Sequence, residues 1–176
     1  MAVIPIRTLP DPILRQKAKQ VKVIGPSVKK LIKDMLETLH AVPGRAGIAA
    51  PQVGVSLRVI VIGAPEEDDL VLVNPEIVKT KGERIVQEGC LSIPGYVGEI
   101  KRAEKVTAKG KRPDGTEARI RAEGLLAEAL EHEVDHLNGV LYIDRLESPD
   151  KLRKIRPEEL QEDGEGIGEE DNGVTG

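Results

Sequence analysis

His132 and His136 stand four residues apart in the run His132-Glu133-Val134-Asp135-His136. On a helix this spacing puts both imidazoles on one face, within reach of one metal ion, and lets Glu133 face a water held by that ion. The chain has three His, and two of them occupy this pattern. A catalytic metal needs a third protein ligand and an open coordination position. A third His six residues after His136 is absent, because Tyr142 stands there, although Gly139 fits the glycine that accompanies such a ligand. A downstream Glu is a second option, and Glu158 or Glu159 would have to supply it from the start of an acidic C-terminal stretch. The remaining soft donor is Cys90, set in Gly89-Cys90-Leu91-Ser92, where metal binding would hold the thiol deprotonated. A lone Cys is otherwise most often an inert buried thiol. Hydrolysis at such a centre also needs hydrogen-bond donors aimed at an oxygen that becomes negative, in a site sheltered from water. Two charge-poor stretches, residues 42–54 and 89–95, have the composition to supply them.

These groups need elements to hold them. Residues 123–137 read as a helix, with Leu126, Leu130, Val134 and Leu137 at helical spacing and Asn138-Gly139 as its stop. A second helix covers 27–39, where Val28, Leu31, Ile32, Met35, Leu36 and Leu39 form one apolar face and Ser27 is the cap signal. Residues 42–54 lose all periodicity, carry Pro43, Gly44, Gly47, Pro51 and Gly54, and read as an ordered loop. Residues 57–62, 70–73 and 84–87 read as strands, with 76–80 extending the set, and the loop 89–95 holds Cys90. A hairpin pairs 105–109 with 118–121 across Arg112-Pro113-Asp114-Gly115. The expected fold class is α+β, a single domain of antiparallel β-strands packed around a central buried helix that carries the His-Glu-x-x-His run.

Composition sets the outer bounds. With 176 residues, 39% of them hydrophobic, the chain can bury a sizeable core, and with no Phe or Trp that core must be aliphatic. The same lack removes the aromatic platforms on which nucleic-acid bases stack. One Cys excludes an internal disulfide framework and fits a reducing, cytoplasmic setting. Residues 1–12 have neither a signal-peptide apolar run nor transit-peptide composition, and nowhere do about 18 apolar residues run together as a membrane span requires. The formal net charge of -4 hides an asymmetry: residues 157–176 carry eight acids and no Lys or Arg, which leaves the rest mildly basic. That Gly-rich acidic tail is expected to be disordered, with residues 1–156 forming the folded domain.

Three segments in order, Gly47-Ile48-Ala49-Ala50-Pro51-Gln52-Val53-Gly54, Glu88-Gly89-Cys90-Leu91-Ser92 and His132-Glu133-Val134-Asp135-His136, resemble the motifs of the peptide deformylases. The similarity extends from about Ile6, through Asp11-Pro12-Ile13-Leu14, to about Leu146. The resemblance implies removal of the formyl group from the N-terminal formylmethionine of newly made polypeptides, with release of formate. It implies one divalent metal per chain on Cys90, His132 and His136, naturally Fe2+, with Zn2+, Ni2+ or Co2+ as substitutes. Glu133 would be general base and acid, while the Gln52 amide and the Leu91 backbone N–H would hold the developing oxyanion. Backbone around Gly47 and Gly89 would pair with substrate like an added strand, and Ile48, Val86, Glu88, Leu125 and Ala129 would lie near the methionine pocket. Glu88 and Arg102 match positions that help hold the active-site region together, against the alternative of a surface ion pair.

The implied partners are nascent polypeptides and, transiently, the ribosome, with no membrane and no direct nucleic-acid contact. Two departures stand out. Arg45 occupies the place where the first motif usually begins with Gly, which alters the cleft entrance and puts a cation within reach of substrate, and the acidic tail replaces the basic C-terminal helix of some members. His40 is read as non-functional. The competing readings are a metallopeptidase sharing the helix and base, which would cleave unformylated peptides, and a non-catalytic metal-binding domain, which would need neither Glu133 nor Gln52.

Overall fold

The computed structural model describes residues 2–63 and 68–156. Among these residues the fold is a mixed α/β arrangement of two α-helices and two antiparallel sheets. The expected disorder of 157–176, and Glu158 and Glu159 as ligand candidates, lie outside the described residues. One sheet has the order β1-β2-β3-β6-β7, from strands Gly47–Ala49, Val59–Ile62, Leu70–Lys81, Lys105–Lys111 and Glu117–Glu123. The other is β4-β5-β8, from Arg84–Cys90, Ile93–Arg102 and Leu152–Lys154. Every strand pair within them is antiparallel. No helix among the described residues is long and apolar enough to cross a membrane.

β2 is the hinge of the packing. All four residues of Val59–Ile62 are buried, and their alternation divides them between two cores. Val59 and Val61 join Leu31, Ile32, Met35 and Leu39 of α1 (Pro26–His40), while Ile60 and Ile62 join Leu130, Val134 and Leu137 of α2 (Gly124–Leu137). The two helices therefore cover opposite faces of one sheet, and each such aliphatic side chain adds roughly 1.5–3 kcal/mol when fully buried. Where α2 crosses the sheet, the core is built from Ala108, Ala118, Ala122 and Ala127, small residues that admit a close helix.

α1 begins one residue earlier than Ser27 suggested. Gly25 is the cap and forms no side-chain cap bond, while Pro26 takes the first helical position, where its missing N–H is no loss. The stretch 42–54 is not all loop either: Gly47–Ala49 is a strand, paired Gly47 to Ile62 and Ala49 to Ile60, followed by the 3-10 turn Ala50–Val53. Pairing with the buried β2 overrides the weak strand preference of Gly and Ala. The loop expected around Cys90 shrinks to two residues, since β4 runs to Cys90, β5 starts at Ile93, and the two are paired. The strand expected at 76–80 joins 70–73 in one β3, through register shifts near Asn74, whose φ is +52°.

The α2 stop behaves as its sequence implied. Asn138 caps the helix, and Gly139 has φ +72°, with a Cβ there only 2.5 Å from the Arg15 carbonyl oxygen. Gly139→Ala is expected to destabilise the fold by about 1–3 kcal/mol, through strain and this clash, as read by urea denaturation.

Candidate metal centre

α2 lays a stripe of residues along one side: Leu125, Ala129, His132 with Glu133, and His136, at intervals of three and four. The two imidazoles stack edge to face with ring centroids 5.0 Å apart. Cys90, at the end of β4, brings its Sγ to 3.3 Å from His136 Nε2. One ligand atom from each of Cys90, His132 and His136 lies within 4.8 Å of the others. A thiol and two imidazoles so close together suit a borderline-soft divalent ion, so the donor set fits a metal. Burial, reinforced by the His132 charge, lowers His136 to about 3, so it is the neutral imidazole that a metal requires.

Glu133 sits beside this cluster, 3% exposed, with Oε1 3.8 Å from His132 Nε2 and Oε2 buried without a hydrogen-bond partner. Burial pushes its carboxyl up to about 7. Room for it is made by Gly47, where a Cβ would stand 3.2 Å from Glu133 Cγ and 3.1 Å from the Val61 carbonyl oxygen.

Gln52 is 1% exposed and its amide can point only one way. Oε1 accepts the Ala49 N–H at 2.9 Å, so Nε2 must face the other side, where it donates to Ser92 Oγ at 3.1 Å and, at a longer 3.7 Å, to Cys90 Sγ. Ser92 is fully buried and was not singled out from the sequence. The N-terminal segment ties the two turns together, because Arg7 N–H donates to the Gln52 carbonyl at 2.7 Å and Leu9 N–H to that of Ser92 at 3.0 Å.

Glu88 and Arg102 form a buried pair, which removes the surface-pair alternative. Arg102 donates from Nε and Nη2 to the two Glu88 oxygens at 2.9 and 2.6 Å, and from Nη1 to Asp135 Oδ2 at 2.8 Å. Glu88 Oε1 also meets His132 Nδ1, which fixes that ring from behind. Burial alone would raise the Glu88 carboxyl, but Arg102 and His132 bring it down to about 2. Both Glu88 oxygens are thus engaged within the protein, by Arg102 and His132.

The other expected residues are spread more widely. Ile48 is fully buried, Val86 and Ala129 are half-buried, Gly89 is exposed, and Leu125 is 83% exposed at the outer end of the α2 stripe. Leu91 follows Cys90 in the two-residue turn. Arg45 Nη1 donates at 2.5 Å to the Thr38 carbonyl, near the C-terminus of α1. His40 pairs with Asp69 at 2.6 Å, away from the cluster. Asp135 and Arg145 carried no signal beyond the spacing of the motif, because their pairing exists only in the folded chain.

A family model described as polypeptide deformylase matches residues 3–152. A peptide deformylase of Dehalococcoides mccartyi (strain CBDB1) is 55% identical over 160 residues, spanning 90% of this chain and 95% of its own. One from Halothermothrix orenii is 52% identical over 147 residues, spanning 83% and 95%. Among solved structures, the peptide deformylase of Legionella pneumophila aligns with a TM-score of 0.80 at 48% identity, covering 85% of this chain and 88% of its own. That of Synechococcus elongatus, in complex with actinonin, gives 0.80 at 44%, covering 84% and 81%.

Arg102→Met would leave Glu88 and Asp135 buried without their shared cation. The expected loss is about 3–5 kcal/mol of stability, measured by denaturant unfolding of the metal-free protein.

Proposed function

The chain belongs to the polypeptide deformylase family, and we propose that Cys90, His132 and His136 hold its metal while Glu133, Gln52 and the Leu91 N–H carry the reaction. The activity is hydrolysis of the formyl amide on the N-terminal methionine of nascent polypeptides, giving formate and a free α-amine. The observation that carries the assignment of roles is the convergence of a thiol, two imidazoles, a carboxyl group and an oriented amide from three separate segments. The matched relatives are deformylases and lend nothing to the metallopeptidase reading.

In this reading α2 is the helix at the centre of residues 1–156, the catalytic domain. A divalent ion on the three ligands, Fe2+ by preference with Zn2+, Ni2+ or Co2+ as substitutes, supplies Lewis acidity and lowers the pKa of water. Glu133 takes the proton as water attacks the formyl carbon, then delivers it to the nitrogen as the C–N bond breaks. Its burial keeps that proton out of bulk solvent, and the space above Gly47 sets its position. Gln52 Nε2 and the Leu91 backbone N–H donate to the carbonyl oxygen as it becomes negative. Ala49 holds the Gln52 amide in the orientation this needs, so little reorganisation accompanies attack.

β1 and β4 each lie at the edge of a sheet, which supports Gly47 and Gly89 as backbone partners of an extended substrate. Ile48, Val86, Leu125 and Ala129 then surround the methionine side chain, with Glu88 supporting His132 from behind. A chain with one Cys suits the cytoplasm, where nascent polypeptides and a transient ribosome contact are the partners.

The test is formate release from an N-formylmethionyl peptide by anaerobically purified protein loaded with Fe2+. Glu133→Ala is expected to keep its metal and lose turnover by at least about a hundredfold, while Cys90→Ala loses the metal. A wild type that is active without metal would overturn the assignment. Gly47→Ala is expected to retain metal but lower kcat by about tenfold or more, since misplacing a reacting group by a fraction of an ångström is costly.

A further inference from the structure

Asp135 lies within the His-Glu-x-x-His run, yet its carboxylate has no place in the metal cluster. It accepts Arg102 Nη1 on Oδ2 at 2.8 Å, and it accepts Arg145 twice, from Nε on Oδ2 at 2.6 Å and from Nη2 on Oδ1 at 2.7 Å. Arg102 passes on to both oxygens of Glu88, and Glu88 to His132 Nδ1. Five side chains thus form one unbroken file, Arg145, Asp135, Arg102, Glu88 and His132, drawn from the turn Tyr142–Arg145, α2, β5 and β4. The inner members are sealed, with side-chain exposures of 1% for Arg102, 5% for Glu88, 11% for Asp135 and 13% for His132. Arg145 is 44% exposed and faces a cavity of about 460 Å³, shared with Lys17, Arg58, Glu76 and Glu131.

A half-exposed ion pair standing alone contributes little. Arg145 differs because its fork grips a carboxylate whose Oδ2 is already shared with a buried guanidinium. Two parallel bonds fix the plane of the carboxylate as well as its charge, a constraint that a point charge does not impose. Without them Asp135 keeps one described side-chain partner and can turn about its last torsion. Arg102 then loses a fixed acceptor on one arm, and the Glu88 carboxylate that aims His132 is held from one side only.

We propose that Arg145 is a positioning residue for the metal centre, setting the aim of His132 from the surface through Asp135, Arg102 and Glu88. The proposal rests on His132 being a metal ligand, as argued above. Partners that directly orient ligating histidines change metal affinity by about 10- to 100-fold, so a residue three links further out should act more weakly, by about three- to tenfold.

The test is chelator-driven metal release from the Co2+-loaded protein, followed by its visible absorption, which also reports the ligand field. Arg145→Gln is expected to release Co2+ about three- to tenfold faster than wild type and to shift the absorption bands, with Arg145→Lys intermediate. In a Glu88→Gln background, where the file is already cut, adding Arg145→Gln is expected to change release by less than about twofold. Wild-type release and spectrum in Arg145→Gln would overturn the proposal. So would an equal acceleration in the Glu88→Gln background, which would mark a local structural effect. If the wild type deformylates normally while Arg145→Gln changes nothing, the relay alone falls; if no Co2+ binds at Cys90, His132 and His136, the metal assignment falls with it.

Discussion

Two carboxylates from different parts of the chain leave water together only because one guanidinium stands between them. Arg102, itself almost fully buried, binds Glu88 of β4 and Asp135 of α2. Taking any one of the three out of water alone would cost several kcal/mol, so each is tolerated only where its charged partners stand. This is a constraint on geometry as much as a source of stability. It fixes the three-stranded sheet against the helix that packs on the five-stranded one. Cys90, two residues beyond Glu88, arrives beside His132 and His136 because of it. The Cys90, His132 and His136 cluster therefore lies on a seam between sheets, and the ion triad is the clasp of that seam.

The hydrophobic core does different work. β2 divides its side chains between two clusters and so locks the relation of α1 to α2, without an aromatic ring from Phe or Trp. Aliphatic packing of this kind is forgiving of shape, since side chains of similar volume exchange with modest cost. The polar seam is unforgiving, because a buried charged group that loses its partner there is costly. Specific geometry is accordingly concentrated where the chemistry is, and bulk stability is spread over the rest.

What could be read from the residues followed from how local each feature is. His132, Glu133 and His136 show themselves because helical periodicity alone puts them together. α1, α2 and the β6–β7 hairpin are legible for the same reason, being set by periodicity and turn chemistry within a few residues. β1 was hidden, since Gly-Ile-Ala has little strand preference and becomes a strand only by pairing with β2. Ser92 stood within a motif without a role until its bond to Gln52 gave it one, and Arg145 was hidden more deeply, because an Arg in a short turn has no pattern to betray it. Their partners, Gln52 and Asp135, lie 40 and 10 residues away. The likeness to a family supplied Gln52 and Leu91, which elementary spacing could not have distinguished from ordinary loop residues.

The N-terminal segment offers a last consequence, one of timing. It is pinned along its length: Ala2 to Asp34, Ile4 to Thr38, Arg7 to the Gln52 carbonyl, Leu9 to that of Ser92. At the other extreme, the turn Tyr142–Arg145 closes the ion file on α2. The cluster thus joins residues 2–9 to residues 142–145, segments more than a hundred positions apart. Contacts between segments so distant cost loop-closure entropy that local pairings do not. Until α2 docks, Cys90 stands apart from His132 and His136, so the cluster exists only once segments distant in the chain have met.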